Sequence, residues 1–356
     1  MLTARRRAAL LAAAVLAVAV LAGSVLSGAP PAATLAPGSP PARVDGAHPP
    51  YAFAPYIDLT GYPEPNLSAI MRASGADQMT LGFVIAPAAR ACTATWGGYA
   101  TAPASGPGAY DGYGVAVFRD EGGTPIASFG GEAGTELADA CPTVTALTDA
   151  YAGVLAAYRA THVDFDVEGA ALDHPAAIAR RSAAIAALQA AAARRHRRLT
   201  VSLTLPVLPT GLPPASLNIV RSAIAHHVRI GHVNLMTMDF GAAAAPHPSR
   251  MTAYAIDAGV NAAAQLRALY PGRSAGATAA MIGLTPMIGV NDDHAEVFTL
   301  ADARRLAAAT RAEGFGLLSM WQLARDRACP TPEPDAQSAC SGVSQRPYAF
   351  AAALAG

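Results

Sequence analysis

The sequence predicts an α/β protein that folds as a single (β/α)8 TIM barrel. Strand-like and helix-like segments alternate from residue 51 onwards, and eight segments have the character of strands. These eight segments are near-continuous apolar runs, which is typical of parallel strands buried on both faces. The roughly 300 residues of this region are an ordinary length for one barrel domain. A doubly wound open sheet is the alternative, although the GxGxxG and GxxxxGK[ST] motifs of its nucleotide-binding forms do not occur.

The elements are assigned in order from apolar runs, helical apolar spacing and Ala-rich segments. The predicted strands are Ala52–Leu59, Gln78–Ala86, Pro125–Gly130, His162–Glu168, Leu199–Val207, His232–Phe240, one within Ala279–Val290, and Phe315–Leu323. The predicted helices are Asn66–Ala73, Tyr110–Arg119, Val144–Ala160, Pro175–Arg195, Ala215–His226, Tyr254–Leu269, Leu300–Ala312 and a short one within Gln345–Leu354. Pro175 suits a first helical turn, and Pro271 with Gly272 ends the helix before them.

The first 50 residues differ in composition from the rest of the chain. A basic start precedes an apolar run at residues 8–22 and then small residues, which is the order found in secretory signals. We assign residues 1–29 to a signal peptide, with an uncleaved membrane anchor as the alternative. Residues 30–50 are rich in Pro and Ala and are expected to form a disordered linker. Residues 51–356 are then the barrel domain of a secreted, extracellular protein.

Charge and cysteine content narrow the function classes. The formal net charge is zero, and no basic block follows the N-terminal segment. Nucleic acid is therefore not expected as a partner, because phosphate binding needs clustered Lys and Arg. Export favours disulfides, and four cysteines allow three pairings. Cys329–Cys340 flanks a Pro-rich loop and is the simplest local bridge, which leaves Cys92–Cys141. Zinc is the alternative, but the Cys and His spacing of a zinc site is missing.

One strand carries an unusual row of acids. Asp164, Asp166 and Glu168 occupy every second position, with apolar residues between them. Side chains alternate faces along a strand, so the three carboxylates are expected to point the same way. Asp is depleted in strands, and a row of like charges must share protons or bind a cation. We favour catalysis over a cation site or a solvated strand edge.

Polar and aromatic residues fall where a barrel places its chemistry, at the C-terminal ends of its strands. Acidic and aromatic groups hold sugars through hydrogen bonds to hydroxyls and through ring faces against C–H surfaces. In addition to the acidic strand, the candidates for substrate contact are Tyr56, Gly130, Met236, Asp239 and Trp321. Together these residues predict a carbohydrate site.

The acidic run resembles the DxDxE signature of glycoside hydrolase family 18, the chitinases and endo-β-N-acetylglucosaminidases. The resemblance covers most of the chain from Tyr51 to Arg327. It extends to Ser128-Phe129-Gly130-Gly131, Met236-Thr237-Met238-Asp239 and Trp321. Two further segments look like one bacterial chitinase subgroup: Met287-Ile288-Gly289-Val290-Asn291-Asp292 and Arg325-Asp326.

This resemblance implies a retaining hydrolase of β-1,4-linked N-acetylglucosamine polymers, chitin or its oligomers, that acts as a monomer without cofactor or metal. Glu168 would be the general acid. Asp166 would orient the substrate's 2-acetamido group and share a proton with Glu168, and Asp164 would support Asp166. The acetamide carbonyl, rather than a second enzyme carboxylate, would attack the anomeric carbon.

Two positions depart from the family pattern. Thr161 stands where the family often has a further Asp, and Met238 stands where it often has a Tyr that holds the acetamide. Tyr56 or Tyr62 could supply the missing hydroxyl. The alternatives are a chitin-binding protein with little or no hydrolysis, which Met238 motivates, and an endo-β-N-acetylglucosaminidase.

Overall fold

The computed structural model describes residues 51–356. The predicted signal peptide or anchor and the linker therefore lie outside the described residues. Between residues 51 and 356, no helix combines the length and the apolar character needed to cross a membrane.

Strands and helices alternate along the described chain. The strands are β1 Ala52–Phe53, β2 Tyr56–Asp58, β3 Gln78–Ile85, β4 Thr95–Trp96, β5 Thr124–Gly130, β6 His162–Asp166, β7 Thr200–Pro206, β8 His232–Met236, β9 Ile282–Thr285, β10 Gly289–Val290, β11 Val297–Phe298 and β12 Leu317–Leu318. The helices are α1 Leu67–Ser74, α2 Gly112–Asp120, α3 Leu137–Ala140, α4 Val144–Ala157, α5 Pro175–Arg194, α6 Pro214–Ala225, α7 Met251–Leu269, α8 Ala275–Ala279, α9 Leu300–Glu313 and α10 Ala349–Ala355. Short 3-10 turns cover Gly169–Asp173, Pro248–Arg250 and Leu323–Arg325.

The main sheet closes into an eight-stranded parallel barrel, as predicted. Its order is β1, β12, β9, β8, β7, β6, β5, β3 and β2, and β1 and β2 are two halves of the first barrel strand. Ala54 and Pro55 separate the halves. Because Pro has no backbone N–H, the ladder is interrupted there, so β1 pairs with β12 and β2 pairs with β3.

Helices cover the outside of the barrel, and neighbouring pairs such as α4 and α5, α5 and α6, and α7 and α9 pack against each other. Apolar side chains from strands and helices form the core between these layers. Three of its members, Val163, Phe165 and Val167, are the residues that alternate with the acids of the fourth barrel strand, and each is at most 1% exposed. The alternation predicted for this strand is therefore present, with the apolar side chains on the helix side.

Several boundaries differ from the sequence prediction. Strand β6 ends at Asp166 rather than Glu168, and β8 ends at Met236 rather than Phe240. The sequence analysis also missed the antiparallel strand β4, helix α3 and the hairpin of β10 and β11. These elements are short and lie in long connections, where apolar periodicity has too few residues to be detected.

Both disulfides join the cysteines that the sequence analysis paired. Cys92–Cys141 closes a span of 49 residues and ties the long connection after β3 to the end of α3. Cys329–Cys340 closes a local span of 11 residues. Among the described residues there is no free cysteine.

Candidate active site

A cleft of about 450 Å³ opens at the C-terminal ends of the barrel strands. Its wall brings together residues from all eight barrel strands or from the segments that follow them. Those predicted from the sequence are Tyr56, Asp166, Glu168, Met236, Asp239 and Trp321. Asp164 and Gly130, the other two predicted residues, lie behind this wall. The cleft is thus where a barrel enzyme carries its chemistry.

Asp164 lies inside the barrel, 2% exposed, and accepts hydrogen bonds from four hydroxyl groups. Tyr56 Oη and Ser128 Oγ lie 2.9 and 2.7 Å from its Oδ2. Ser202 Oγ and Thr204 Oγ1 lie 2.5 and 2.8 Å from its Oδ1. Burial raises the pKa of Asp164, and the four hydroxyls act in the opposite direction. The four donors favour the ionised form of Asp164 and so offset part of the rise in its pKa.

The polar network continues sideways across the barrel interior. Asn234 Nδ2 donates to Thr204 Oγ1 at 3.0 Å, and Thr285 Oγ1 donates to Asn234 Oδ1 at 2.8 Å. The Tyr56 and Thr204 oxygens are 2.8 Å apart. Chains of such bonds fix each hydroxyl in one orientation, so Asp164 is held by a rigid frame.

Asp166 is the next acid along β6, and its surroundings differ. It is 3% exposed, and its Oδ1 has no hydrogen-bond partner anywhere in residues 51–356. Burial, and then the charges of Glu168, Asp164 and Glu136, raise the pKa of Asp166 well above its usual range. A buried carboxyl that receives no donor and faces other acids binds a proton readily.

Glu168 lies just beyond the end of β6, where the backbone stays extended at φ −144° and ψ 177°. The strand alternation therefore continues to Glu168, which lines the cleft with Asp166. Burial, and then the charges of Glu132 and Glu136, raise the pKa of Glu168 to about 7. Since Asp166 and Glu168 act on each other, their protons belong to the pair rather than to one residue.

Gly130 serves the site through its backbone. Its φ is +106°, and a Cβ at this position would lie 1.9 Å from the carbonyl oxygen of Asp166. Only glycine permits this approach of β5 to β6. Gly130 was predicted to contact substrate, but it does not line the cleft. Its place is behind the acids, where it lets the two strand ends meet.

Aromatic rings form one wall of the cleft. Trp321 stacks on Phe83, with ring centroids 5.5 Å apart and planes at 19°. Tyr56 meets Trp321 edge to face at 5.8 Å. Phe83 was not predicted, because an apolar residue near the end of a buried strand looks like ordinary core. The wall offers the flat apolar surface that sugar rings use.

Another part of the cleft wall comes from β8 and the segment after it. Met236 and Met238 are half-buried and line the cleft. Asp239 lies in the left-handed region at φ +48°, and its Oδ1 accepts a 2.7 Å hydrogen bond from the N–H of Asp293. Burial raises the pKa of Asp239, and this hydrogen bond opposes the rise.

Further residues belong to the site without having been predicted as such. Glu132 follows β5 and lines the cleft near Glu168, and Asp292 lines it near Asp239. Behind the acids, Glu136 forms an ion pair with Arg181. Their signal was weak, because a single Glu in a Gly-rich connection has no periodic or motif context.

Two other aromatic side chains do not contribute to the cleft. Trp96, on β4, is fully buried and donates from Nε1 to Tyr158 Oη at 2.7 Å. Tyr62 is 96% exposed and does not line the cleft. The Tyr56 hydroxyl is already bonded to Asp164. Neither tyrosine therefore presents a free hydroxyl to the cleft in place of the one that Met238 lacks.

Comparison with known proteins gives the family. The catalytic domain of a hyperthermophilic chitinase from Pyrococcus furiosus is 31% identical, with a TM-score of 0.75, over 86% of this chain and 95% of that one. The chain belongs to glycoside hydrolase family 18. A family 18 chitinase from Flavobacterium johnsoniae, 11% identical with a TM-score of 0.52, shares the fold. No family model matches the chain.

Two curated proteins extend this family 18 assignment. The chain is 34% identical over 286 residues to a probable bifunctional chitinase/lysozyme of Escherichia coli, matching 79% of this chain and 31% of that protein. It is 32% identical over 286 residues to Endochitinase 11 of Metarhizium anisopliae, matching 79% of this chain and 53% of that protein. The aligned region thus spans about a third and about half of these relatives.

Proposed function

We propose that this chain is a glycosidase that hydrolyses β-1,4-linked N-acetylglucosamine polymers, chitin or its oligomers, with retention of anomeric configuration. The observation that carries the proposal is the pair of coupled acids in the cleft. Asp166 is buried without a donor, and Glu168 beside it has a pKa raised to about 7. A general acid needs a pKa near the working pH, so that it holds a proton and can still release it.

The first half of the reaction uses Glu168 as the acid. Its proton passes to the glycosidic oxygen as the bond from that oxygen to the anomeric carbon breaks. The carbonyl oxygen of the substrate's own 2-acetamido group forms the new bond to the anomeric carbon. In the second half, Glu168 as a carboxylate takes a proton from water, and the water oxygen bonds to the anomeric carbon on the face that the leaving group left. The bond from that carbon to the acetamide oxygen breaks at the same time, which restores the acetamide and the original configuration.

Asp166 and Asp164 have different parts in this proposal. The free Oδ1 of Asp166 is the natural acceptor for the acetamide N–H, because it has no donor among the described residues. That bond orients the acetamide carbonyl towards the anomeric carbon, and the positive charge that develops there is stabilised by Asp166. Asp164, fixed by four hydroxyls, keeps a negative charge in the barrel interior next to Asp166. This charge favours the return of the proton to the pair of Asp166 and Glu168.

The remaining wall residues would hold the sugar. Trp321, supported by Phe83, provides the apolar floor, and Asp239 provides a hydrogen-bond acceptor in the same cleft. The names of the relatives support chitin as the substrate class, since one is named a probable bifunctional chitinase/lysozyme and the other an endochitinase. Secretion, a monomeric state and independence of cofactors and nucleic acid belong to the same proposal.

The acid assignment is tested with Glu168→Gln. We expect a loss of roughly 10²–10⁴ in kcat on chitin oligomers, because general acid catalysis contributes about that much. The assay follows product sizes by chromatography and the anomeric form by NMR. Glu313→Gln, an exposed carboxylate at the end of α9, is the matched control and should keep full activity. Equal activity in the two variants contradicts the assignment of Glu168.

A second candidate is a chitin-binding protein with little hydrolysis. It is favoured by one observation, that Met238 lines the cleft and cannot donate a hydrogen bond to the acetamide. The same oligomer assay separates the candidates when a binding measurement is added. Binding of chitin oligomers without turnover of chitin or N-glycan substrates supports the second candidate, and turnover of N-glycan cores alone supports an endo-β-N-acetylglucosaminidase.

A further inference from the structure

A buried ion pair lies behind the acidic strand, outside the cleft. Glu136 and Arg181 are 9% and 2% exposed, and Arg181 Nη2 donates to Glu136 Oε2. Removing two charges from water costs free energy that their attraction often fails to recover. Stability alone therefore explains this ion pair poorly, and its neighbours in the structure suggest another role.

The other oxygen of Glu136 faces the ends of β5 and β6. Glu136 Oε1 lies 3.0 Å from the position that a Cβ on Gly130 would occupy. The carbonyl oxygen of Asp166 lies 1.9 Å from that same position. Glu136 thus packs against the backbone that carries Asp166 and leads into Glu168. Arg181 holds the opposite oxygen and fixes the direction of the carboxylate.

The segment that carries Glu136 is anchored from three sides. Helix α3 follows Glu136 directly, and the Cys92–Cys141 disulfide fixes its end. Arg180 on α5 donates to the carbonyl of Ala138 in the middle of α3. The His174 ring lies 2.8 Å from Asp139 Oδ1. Because His174 and α5 follow Glu168 in the chain, the same contacts also hold the loop of the catalytic acid.

The charge of Glu136 acts on both catalytic carboxyls and raises the pKa of Asp166 and of Glu168. Burial raises the pKa of Glu136 itself, and Arg181 opposes that rise, which favours an ionised Glu136. The titratable and charged groups that act on the two catalytic acids or on this ion pair are Glu132, Asp139, Tyr151, Asp164, Asp166, Glu168 and His174.

We propose that Glu136 and Arg181 are positioning residues that hold a fixed negative charge behind Asp166 and Glu168. This charge sets the pH range in which Glu168 carries the catalytic proton. The inference rests on the proposed function for its role in turnover. Neither residue touches the substrate, so each acts through the two acids.

The test compares pH profiles of wild type and Glu136→Gln on chitin oligomers. Removing the charge should move both limbs of the kcat profile to lower pH by about half a unit or more, as expected for a charge in partly buried surroundings. Glu136→Asp keeps the charge and should move the profile less. Glu121→Gln, which breaks the surface ion pair with Arg72, is the control and should leave both limbs in place.

A second variant guards against misfolding. Glu136→Gln/Arg181→Gln leaves no unpaired buried charge, and it should move the limbs in the same direction by a smaller amount. The infrared signal of the protonated Glu168 carboxyl provides a readout that needs no turnover, and its midpoint should also fall in Glu136→Gln. An inactive wild type would overturn the proposed function alone. Folded variants with unmoved profiles and an unmoved midpoint would overturn this inference alone.

Discussion

Asp164 and Asp166 are the same residue type, two positions apart on one strand, yet their surroundings are opposite. Asp164 accepts from four hydroxyls on three other strands, whereas Asp166 Oδ1 finds no donor within residues 51–356. The hydroxyls of the barrel interior thus favour the charge of Asp164 against the effect of burial, whereas the cleft leaves the Asp166 carboxyl available to a proton or a ligand. The difference shows that one strand can carry both a fixed charge and a reactive pair.

The largest expected effect concerns Asp166, the acid that lines the cleft, and it is an effect on turnover. Asp166→Asn should lower kcat on chitin oligomers by roughly 10²–10³, the cost of removing one group that stabilises developing charge. Its free energy of unfolding should stay level or rise, because the substitution removes a charge that burial and neighbouring acids disfavour. Steady-state kinetics and urea unfolding measure the two quantities. Full activity would contradict the orienting role.

The same substitution one layer deeper should act mainly on stability. Asp164→Asn replaces an oxygen acceptor by an N–H donor that faces hydroxyls already pointing inwards. The free energy of unfolding should fall by about 1–3 kcal/mol, the cost of leaving buried polar groups unpaired. Urea unfolding of both Asn variants under one set of conditions compares them directly. An equal change in the free energy of unfolding of the two variants would contradict the distinction between Asp164 in the barrel interior and Asp166 in the cleft.

The sequence predicted the barrel and the acidic strand well, and the reason is physical. Eight buried parallel strands leave long apolar runs, and a period of two places Asp164, Asp166 and Glu168 on one face. Glu168 lies past the end of β6, but its backbone stays extended, so the prediction still held. Asp239 and Trp321 lie on distant strands, and they were predicted because a barrel brings the C-terminal ends of its strands together. The resemblance to family 18 then supported both residues.

The residues that were missed depend on contacts between distant parts of the chain. Glu136 and Arg181 are 45 residues apart and meet only because α3 packs on α5. The four hydroxyl donors to Asp164 come from three strands, and each one alone looks like an ordinary strand residue. Phe83 was missed because its role depends on its contact with Trp321, which is distant in the sequence. Gly130 was predicted to contact substrate, whereas the structure uses it for the close approach of two strand ends, which a Gly-Gly pair at a strand end also indicates.

The most direct test measures whether the acids of the cleft, Asp166 and Glu168, hold a proton near neutral pH. Difference infrared spectroscopy over pH follows the carboxyl band of a protonated acid in wild type and in Glu168→Gln. Burial and nearby acids raise the pKa of Glu168 to about 7, so wild type should keep the band of a protonated carboxyl up to about that pH. In Glu168→Gln, the loss of this band near pH 7 should be absent. If every buried carboxyl is already ionised by about pH 5, near the range of unperturbed acids, then the cleft holds no proton for catalysis and Glu168 is not the general acid.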